Sequence, residues 1–372
     1  MERSYNVIDL FAGAGGLSHG FKTAGFRIVL ANEINPVIAH SYSMNNPGTL
    51  MLNTDIRNLA EDFDEALRDA DADDMEAVKS GLANVDVIIG GPPCQGFSMA
   101  GGRIRKAKEF IEDERNYLFK HYFSMIQRFE PRFFVFENVT GILSSHKGDI
   151  MRQIKSLFSD AVNFRRGAYH LSINTLNAAD FGVPQVRKRV LIIGSKKPFD
   201  FDAVKESVRQ SLPEEKRELF FTPHTVRDAI ADLAAVSPYE PNNLSNHVAT
   251  HHSAKAVSRM AKIKPNDNWL SLDETIKSVH SGAYGRLDWD KPSTTITTRF
   301  DTPSAGRYIH PDFDRTITPR EAARLQTFPD DYIFYGPKSS VCTQIGNAVP
   351  PRLSEFIAYM IKSQLDRYET IR

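Results

Sequence analysis

Six short runs rich in β-branched and aromatic residues recur through the first half of the chain: NVIDLF from Asn6, RIVLAN from Arg27, VDVIIG from Val85, RFFVFEN from Arg132, HLSINTL from His170 and RVLIIG from Arg189. Each predicts a strand. Segments with helical spacing lie between several of them: Leu17 to Ala24, Pro36 to Met44, Tyr117 to Phe129 and Ile150 to Phe158. Strand, helix, strand repeated in this way allows few folds, because parallel strands need a crossover and the crossover helices cover the sheet. The chain is therefore expected to be α/β, with a doubly wound, mostly parallel sheet. In such sheets ligands sit beyond the carboxyl ends of the strands, so chemistry should appear in the loops that leave them.

The texture changes after Gly194, where KKPFDFD, the charged segment PEEKREL and proline-rich pieces replace the alternation until about Pro319. A chain of 372 residues has room for two packed cores. The expected organisation is a catalytic and ligand-binding domain over 1–195, a smaller irregular domain over 196–341, and a C-terminal segment over 342–372. The last helical stretch, Leu353 to Leu365, follows Pro350-Pro351 and is expected to return to the first domain. Glu61 to Glu76 carries nine acids against Arg68, with Phe63, Leu67 and Ala70 on one helix face, and reads as a solvated surface helix.

Lys plus Arg and Asp plus Glu each number 46, so any nucleic-acid contact must come from local patches rather than from a basic whole. Two cysteines, Cys94 and Cys342, are too few for a disulfide framework and point to a reducing compartment. Met1 leads directly into the strand-like Val7 to Phe11 with no leader pattern, and no run approaches the roughly 18 to 20 apolar residues of a membrane span. A cytoplasmic protein with no membrane contact is the expectation.

The first predicted strand ends in Asp9-Leu10-Phe11-Ala12-Gly13-Ala14-Gly15-Gly16, followed by a helix. Glycines there let the backbone turn tightly and let a ligand lie close to the helix N-terminus. The dinucleotide pattern G-x-G-x-x-G is not completed, because Ser18 stands where the third glycine would be; a nicotinamide enzyme is weakened but stays open. Glu33 closes the second strand 18 residues after Gly15, where a carboxylate can accept hydrogen bonds from ribose hydroxyls. Asp55 follows in TDIR and could accept from an adenine amino group. Both acids can equally be read as surface carboxylates.

Gly90-Gly91-Pro92-Pro93-Cys94-Gln95-Gly96-Phe97-Ser98 leaves the strand VDVII. Two prolines cannot extend a central strand and stiffen the backbone just before the thiol, so Cys94 should be presented on a fixed loop at the strand end. A free cysteine is usually a buried, inert small hydrophobe, which suits Cys342; the Gly, Pro and Gln around Cys94 define a loop instead. A thiolate is a soft nucleophile. A metal-binding module on His247, His251 and His252 is a further alternative, but no cysteine or acid cluster completes a ligand set, and no metal is expected.

Taken together, Asp9 to Gly16, Gly91 to Ser98, Glu137-Asn138-Val139, Gln185-Val186-Arg187-Lys188-Arg189, Arg320 to Pro329 and Gln344 to Pro351 resemble the ordered motif set of the DNA cytosine-5 methyltransferases, especially bacterial ones of restriction-modification systems. The resemblance implies a Rossmann-like methyltransferase domain, a smaller target-recognition domain, S-adenosylmethionine as cofactor and double-stranded DNA as partner, with a cognate restriction endonuclease acting on the same sequence, and a monomer associated with the nucleoid. It implies that the Cys94 thiolate adds to ring carbon 6 of an extruded cytosine and that Glu137 holds the ring nitrogen and exocyclic amine. Arg189, with Arg187 beside it, would hold the base carbonyl.

For the cofactor it implies Asp9, Phe11, Gly13, Gly15, Gly16, Glu33, Ile34, Asp55, Ile56, Pro93, Leu118, Asn347 and Val349. DNA contacts are expected from Gln95, Ser98, Arg103 and Arg105, the last two in a closing loop. Arg286 and Arg299, with Arg307, are expected to contact DNA from the second domain, near Thr294 to Arg299. The tRNA-cytosine branch of the family typically carries Pro-Phe-Thr after the Cys-Gln pair; Gly96-Phe97-Ser98 stands here, which favours DNA.

Overall fold

The computed structural model describes residues 4–68, 70, 74–92, 117–233, 244–272 and 282–370. One sheet is built from seven strands: β1 (Asn6–Leu10), β2 (Arg27–Asn32), β3 (Leu50–Leu52), β4 (Val87–Gly90), β5 (Phe133–Val139), β6 (His170–Asn177) and β7 (Lys188–Ser195). Their order across the sheet is β3-β2-β1-β4-β5-β7-β6. The neighbours β3-β2-β1-β4-β5 are all parallel, and β7 runs antiparallel to β5. The protein is thus α/β with a mostly parallel, mixed sheet. Its central strands are buried on both faces, which is why they read as continuous apolar runs rather than alternations.

Side chains along β5 alternate between two packed layers. The Phe134 and Phe158 rings have centroids 4.4 Å apart, and those of Phe136 and Phe119 are 5.7 Å apart, the partners lying on the helices Asp149–Ser159 and Tyr117–Phe129. Phe133 turns the other way, onto Phe199 and Tyr368. Each such ring contributes about 1.5–3 kcal/mol by burial, so the strand that carries Glu137 is held from both sides. The helix Pro36–Asn45 starts where expected, with Pro36 at its first position and the Asn35 side chain accepting from the amides of Val37 and Ile38.

Two features differ from the expectations. The acidic stretch is not one helix: Asp62, whose carboxylate accepts from the Glu65 amide at 2.9 Å, starts the helix Phe63–Arg68, which ends before Ala70, and Asp74, accepting from the Ala77 amide, starts another, Met75–Leu82. An N-capping carboxylate there outweighs continuation. The sheet also has a strand, β3, that no periodicity announced, because three residues are too few to show one.

The chain divides into two compact units, one made of 1–176, 188–214 and 354–372, the other of 177–187 and 215–353. Neither unit is a single stretch, because the chain leaves the first unit between β6 and β7 and comes back to it. The first unit contains the parallel core of the sheet. It also takes the helix Pro351–Thr370 from Ser354 onward: Ser354 Oγ donates to Leu17 O at 2.7 Å and Tyr5 Oη to Asp366 at 2.6 Å. The second has little regular structure among its described residues, chiefly short helices and the pairing of β8 (Gly285–Arg286) with β9 (Arg307–Ile309), around Met260, Ile263 and Tyr284.

Irregular backbone leaves carbonyls without a ladder to join, and each must find a donor. Buried arginines supply many of them. Arg320 donates to the carbonyls of Ser245, Pro329 and Tyr332, and Arg315 pairs with the buried Glu321 carboxylate at 2.7 and 2.8 Å. Among the described residues no helix is long and apolar enough to cross a membrane.

Candidate active site

Strand register sets the site. Leu10 of β1 stands beside Asn32 of β2 and Gly90 of β4, and Gly90 stands beside Phe136 of β5. The next residues along each strand, Glu33, Phe11, Gly91 and Glu137, therefore share one carboxyl edge of the sheet. Parallel pairing is what gathers them, since it brings strand ends of the same polarity together.

At the β1 end the chain makes a strained turn. Phe11 has φ +58°, a conformation that costs a non-glycine residue about 1–3 kcal/mol. Gly13 follows at φ +55°, and among the described residues a Cβ there would meet no atom within 4 Å. Glu33 braces the turn, accepting from Gly13 N at 3.0 Å and from Asn35 N at 2.9 Å. Burial raises the Glu33 pKa. Ile34, next to it, is 62% exposed, an apolar side chain at a strand end.

Asp9, on β1 itself, is fully buried. Ser18 Oγ donates to its Oδ2 at 2.7 Å and is itself 2.6 Å from Tyr42 Oη, while Oδ1 has no hydrogen-bond partner among the described residues. Ser18, the residue that breaks the dinucleotide pattern, is thus engaged by an internal carboxyl group. Burial, with the neighbouring Glu33 charge adding to it, pushes the Asp9 pKa from 3.8 up to about 7. In the unfolded chain the same group ionises near 3.8. Its stabilising contribution is therefore fully present below that value, erodes above it and is gone once pH has passed about 7. Asp9→Asn, which cannot ionise, should gain thermal stability relative to the parent as pH rises from about 4 to about 7, then hold a constant difference. Calorimetric midpoints across that range check this; a difference independent of pH would contradict it.

Further along the edge, Arg189 Nε lies 3.0 Å from Glu137 Oε1, both side chains largely shielded from water. Arg189 stands opposite Val139 in the β5–β7 register, which makes Glu137 its diagonal neighbour on the same face. The antiparallel direction of β7 allows this: it brings the start of that strand, and so Arg189, to the carboxyl edge. Gly91 packs closely here, with a Cβ position 3.2 Å from Glu137 Oε2. Asn138 Nδ2 donates to Pro92 O at 3.0 Å and ties down the segment leaving β4. No motif assigned Asn138 that task; an amide directly after a strand-end acid was the available signal.

Cys94, Pro93, Gln95, Ser98, Arg103 and Arg105 lie outside the described residues. Asp55 caps the helix Ile56–Glu61 through Arg57 N, and the Arg57 guanidinium grips its Oδ2 at 2.6 and 2.8 Å and holds its pKa down. Ile56 is buried in the main core, Leu118 packs against that core, and Gly16 opens the helix Gly16–Thr23 with Gly15 as its cap.

In the second unit Asn347 ends the helix Lys338–Asn347 and is exposed, and Val349 is buried. Arg187, expected beside Arg189 at the base carbonyl, is instead 1% exposed, with its guanidinium donating to the carbonyls of Ile296 and Gly346. Arg299 is exposed, and Arg307 donates to Asp267 O and Arg286 O.

The expectation for Arg286 is corrected. Expected on DNA, it is buried, and its guanidinium is used by the carbonyls of Met260, Ile263, His310, Pro311 and Phe313 and by Asp314. It holds irregular backbone together instead of facing a nucleic acid. His247 and His252 are hydrogen-bonded to Thr318 and Thr316. Cys342 is buried, and burial pushes its pKa up to about 12.

The family model described as C-5 cytosine-specific DNA methylase matches residues 5–363. The chain is 35% identical over 357 residues to the Type II methyltransferase M1.HphI of Haemophilus parahaemolyticus, covering 95% of this chain and 86% of that one. It is 34% identical to the Type II methyltransferase M.DdeI of Desulfomicrobium norvegicum, covering 96% and 88%. Among solved structures, a DNA modification methyltransferase encoded within an E. coli prophage superposes with TM-score 0.71 at 28% identity, over 98% of this chain and 100% of that one. S. pombe Dnmt2 methyltransferase superposes with TM-score 0.63 at 18% identity, over 97% of this chain and 99% of that one, and shares the fold. A match over nearly the whole length, on a sheet whose carboxyl edge gathers the motif residues, shows that this chain belongs to the C-5 cytosine-specific DNA methylase family and is a DNA (cytosine-5-)-methyltransferase akin to the type II enzymes.

Proposed function

We propose that the enzyme transfers the methyl group of S-adenosylmethionine to carbon 5 of a cytosine within a specific duplex DNA sequence, through a covalent Cys94 adduct on a flipped-out base. The observation that carries this reading is the Glu137–Arg189 pair at the carboxyl edge, beside Gly91 on the segment that leads into Cys94. A carboxyl group and a guanidinium held together at that edge suit a planar base that offers a ring nitrogen, an amine and a carbonyl.

The β1 and β2 ends fit the cofactor. The turn at Gly13 gives its backbone room, the Glu33 carboxylate can exchange its amide partners for ribose hydroxyls, and exposed Ile34 offers an apolar surface to the adenine. When bound, S-adenosylmethionine supplies an electrophilic methyl group carried on a sulfonium.

The chain's own residues prepare the base. A target paired inside a duplex is out of reach, so the nucleotide is extruded, as methyltransferases acting on bases require. The Cys94 thiolate forms a bond to ring carbon 6, and the electrons of the ring's 5,6 double bond shift toward carbon 5 and the ring nitrogen. Glu137 delivers a proton to that nitrogen as charge builds there, and Arg189 keeps the carboxyl group in place and holds the base carbonyl. Once carbon 5 is methylated, its proton leaves to a base, the bond to sulfur breaks, and Glu137 recovers its proton from the ring. The second unit reads the target sequence, and a cognate endonuclease of the same restriction-modification system cuts that sequence when it is unmethylated.

The test uses duplex DNA whose target, found by bisulfite mapping of DNA from cells expressing the protein, carries 5-fluorocytosine. Fluorine cannot leave as a proton does, so a denaturation-resistant protein–DNA complex should accumulate when S-adenosylmethionine is present. No trapped complex on a proven target would overturn the covalent route, and methyl transfer to tRNA but not to duplex DNA would overturn the substrate.

A further inference from the structure

Three buried polar side chains of the second unit, Gln185, Arg187 and Gln326, bond mostly to backbone from distant parts of the chain. Gln185 Oε1 accepts from Ile296 N at 2.9 Å, and its Nε2 donates to Leu325 O at 3.3 Å and to Gln326 Oε1 at 3.1 Å. Gln326 Nε2 donates to Ile345 O at 2.6 Å. Arg187 Nη1 donates to Ile296 O at 2.9 Å and Nη2 to Gly346 O at 3.0 Å. Ile296 therefore has both its amide and its carbonyl held by side chains of one short segment, Gln185 to Arg187. The carbonyls of Ile345 and Gly346 belong to the last turn of the helix Lys338–Asn347, where the amides four residues ahead run out.

Backbone meets backbone at the same place. A Cβ on Gly346 would lie 2.4 Å from the carbonyl carbon of Thr297 and 2.5 Å from Thr298 N, so only glycine lets the helix end approach that peptide. Thr295 Oγ1 donates to Val186 O, and Tyr308 Oη donates to Thr295 O and lies 2.9 Å from Thr297 Oγ1. The result is a short segment anchored at its buried member, Ile296, while Thr297 and Arg299 stay exposed.

We propose that Arg187 is a positioning residue for target recognition: by joining Ile296 O to Gly346 O it fixes how the segment Thr295 to Arg299 meets DNA, and it takes no part in the chemistry at the base. This rests on the reading of that segment as DNA-facing. The guanidinium is suited to the task because its planar fork spans two carbonyls at fixed separation, which a lysine ammonium on a flexible stem cannot do.

Arg187→Lys, in the full-length enzyme, is the test. Losing one charge-assisted bond to a buried carbonyl should raise KM for the target duplex by about tenfold or more. The preference for the target over a duplex with one changed base pair should fall by a similar factor. The value of kcat at saturating DNA and the affinity for S-adenosylmethionine should change by less than about threefold, in contrast to the loss of kcat expected of a catalytic group. A general loss of folded protein would not alter site preference, which separates the two explanations. Gly346→Ala crowds the same peptide from the other side and should shift KM and preference the same way. A fall in kcat with KM and preference unchanged would overturn the proposal. Arg299→Ala should weaken DNA binding; if it does not, the DNA-facing reading fails and the proposal with it, even though methyl transfer itself persists.

Discussion

Cys94→Ser should yield a protein that binds S-adenosylmethionine within about threefold of the parent yet transfers methyl groups on the order of 10⁴-fold more slowly, or not measurably. A serine hydroxyl is hardly ionised near neutrality and is a harder nucleophile than a thiolate, so addition to ring carbon 6 stops before the rest of the cycle can begin. The other thiol cannot take over, since Cys342 is buried and its pKa is pushed up to about 12. Incorporation of labelled methyl groups into the mapped target, alongside calorimetric titration of the cofactor, checks both halves. Turnover at the parental rate would end the covalent proposal.

Glu137→Gln should lower kcat by about 10² to 10⁴ while leaving the fold intact. The amide keeps the size of the side chain and an oxygen that can accept from Arg189 Nε, 3.0 Å away in the parent. It cannot give or take a proton at the ring nitrogen. Because the pair is partly shielded, the variant also removes the Glu137 countercharge from Arg189, a cost on the order of 1 kcal/mol in folding stability. Thermal midpoint and kcat measured on one preparation separate the two effects. A variant that unfolds near the parent's midpoint but turns over at the parent's rate would remove Glu137 from the chemistry and leave it a structural partner of Arg189.

Arg187 and Arg189 show why two alternating arginines should not be treated alike. They are close neighbours in the chain, but one belongs to the irregular unit and satisfies the carbonyls of Ile296 and Gly346, while the other starts β7 and meets Glu137. The same distinction explains Arg286, whose acceptors lie in 260–263 and 310–314. Nothing local to Arg286 reveals them.

Much of the molecule was legible in advance because its signals are local. A strand buried on both faces must be a short apolar run, so β1, β2, β4, β5 and β7 could be read from residue type, whereas β6, a half-buried strand at the sheet edge, was read from its alternation of apolar and polar residues. Tight turns need glycine, so the positive-φ turn through Gly13 and Gly15 could be placed at the end of β1. The order of the motifs along the chain then carried the family. Strand direction, register and burial of charge are different, because they are settled by partners remote in sequence. An apolar strand reads the same in either direction, so it took the assembled sheet to set β7 against β5 and thereby bring Arg189 to Glu137. An arginine reads the same in water or in a core, so it took packing to commit Arg286 and Arg187 to backbone carbonyls. Residue type and order thus settled which elements form and which chemistry they carry. Proximity in the folded chain settled which charged groups face the site and which serve the backbone, since a hydrogen-bond donor finds its acceptor in space and not along the chain.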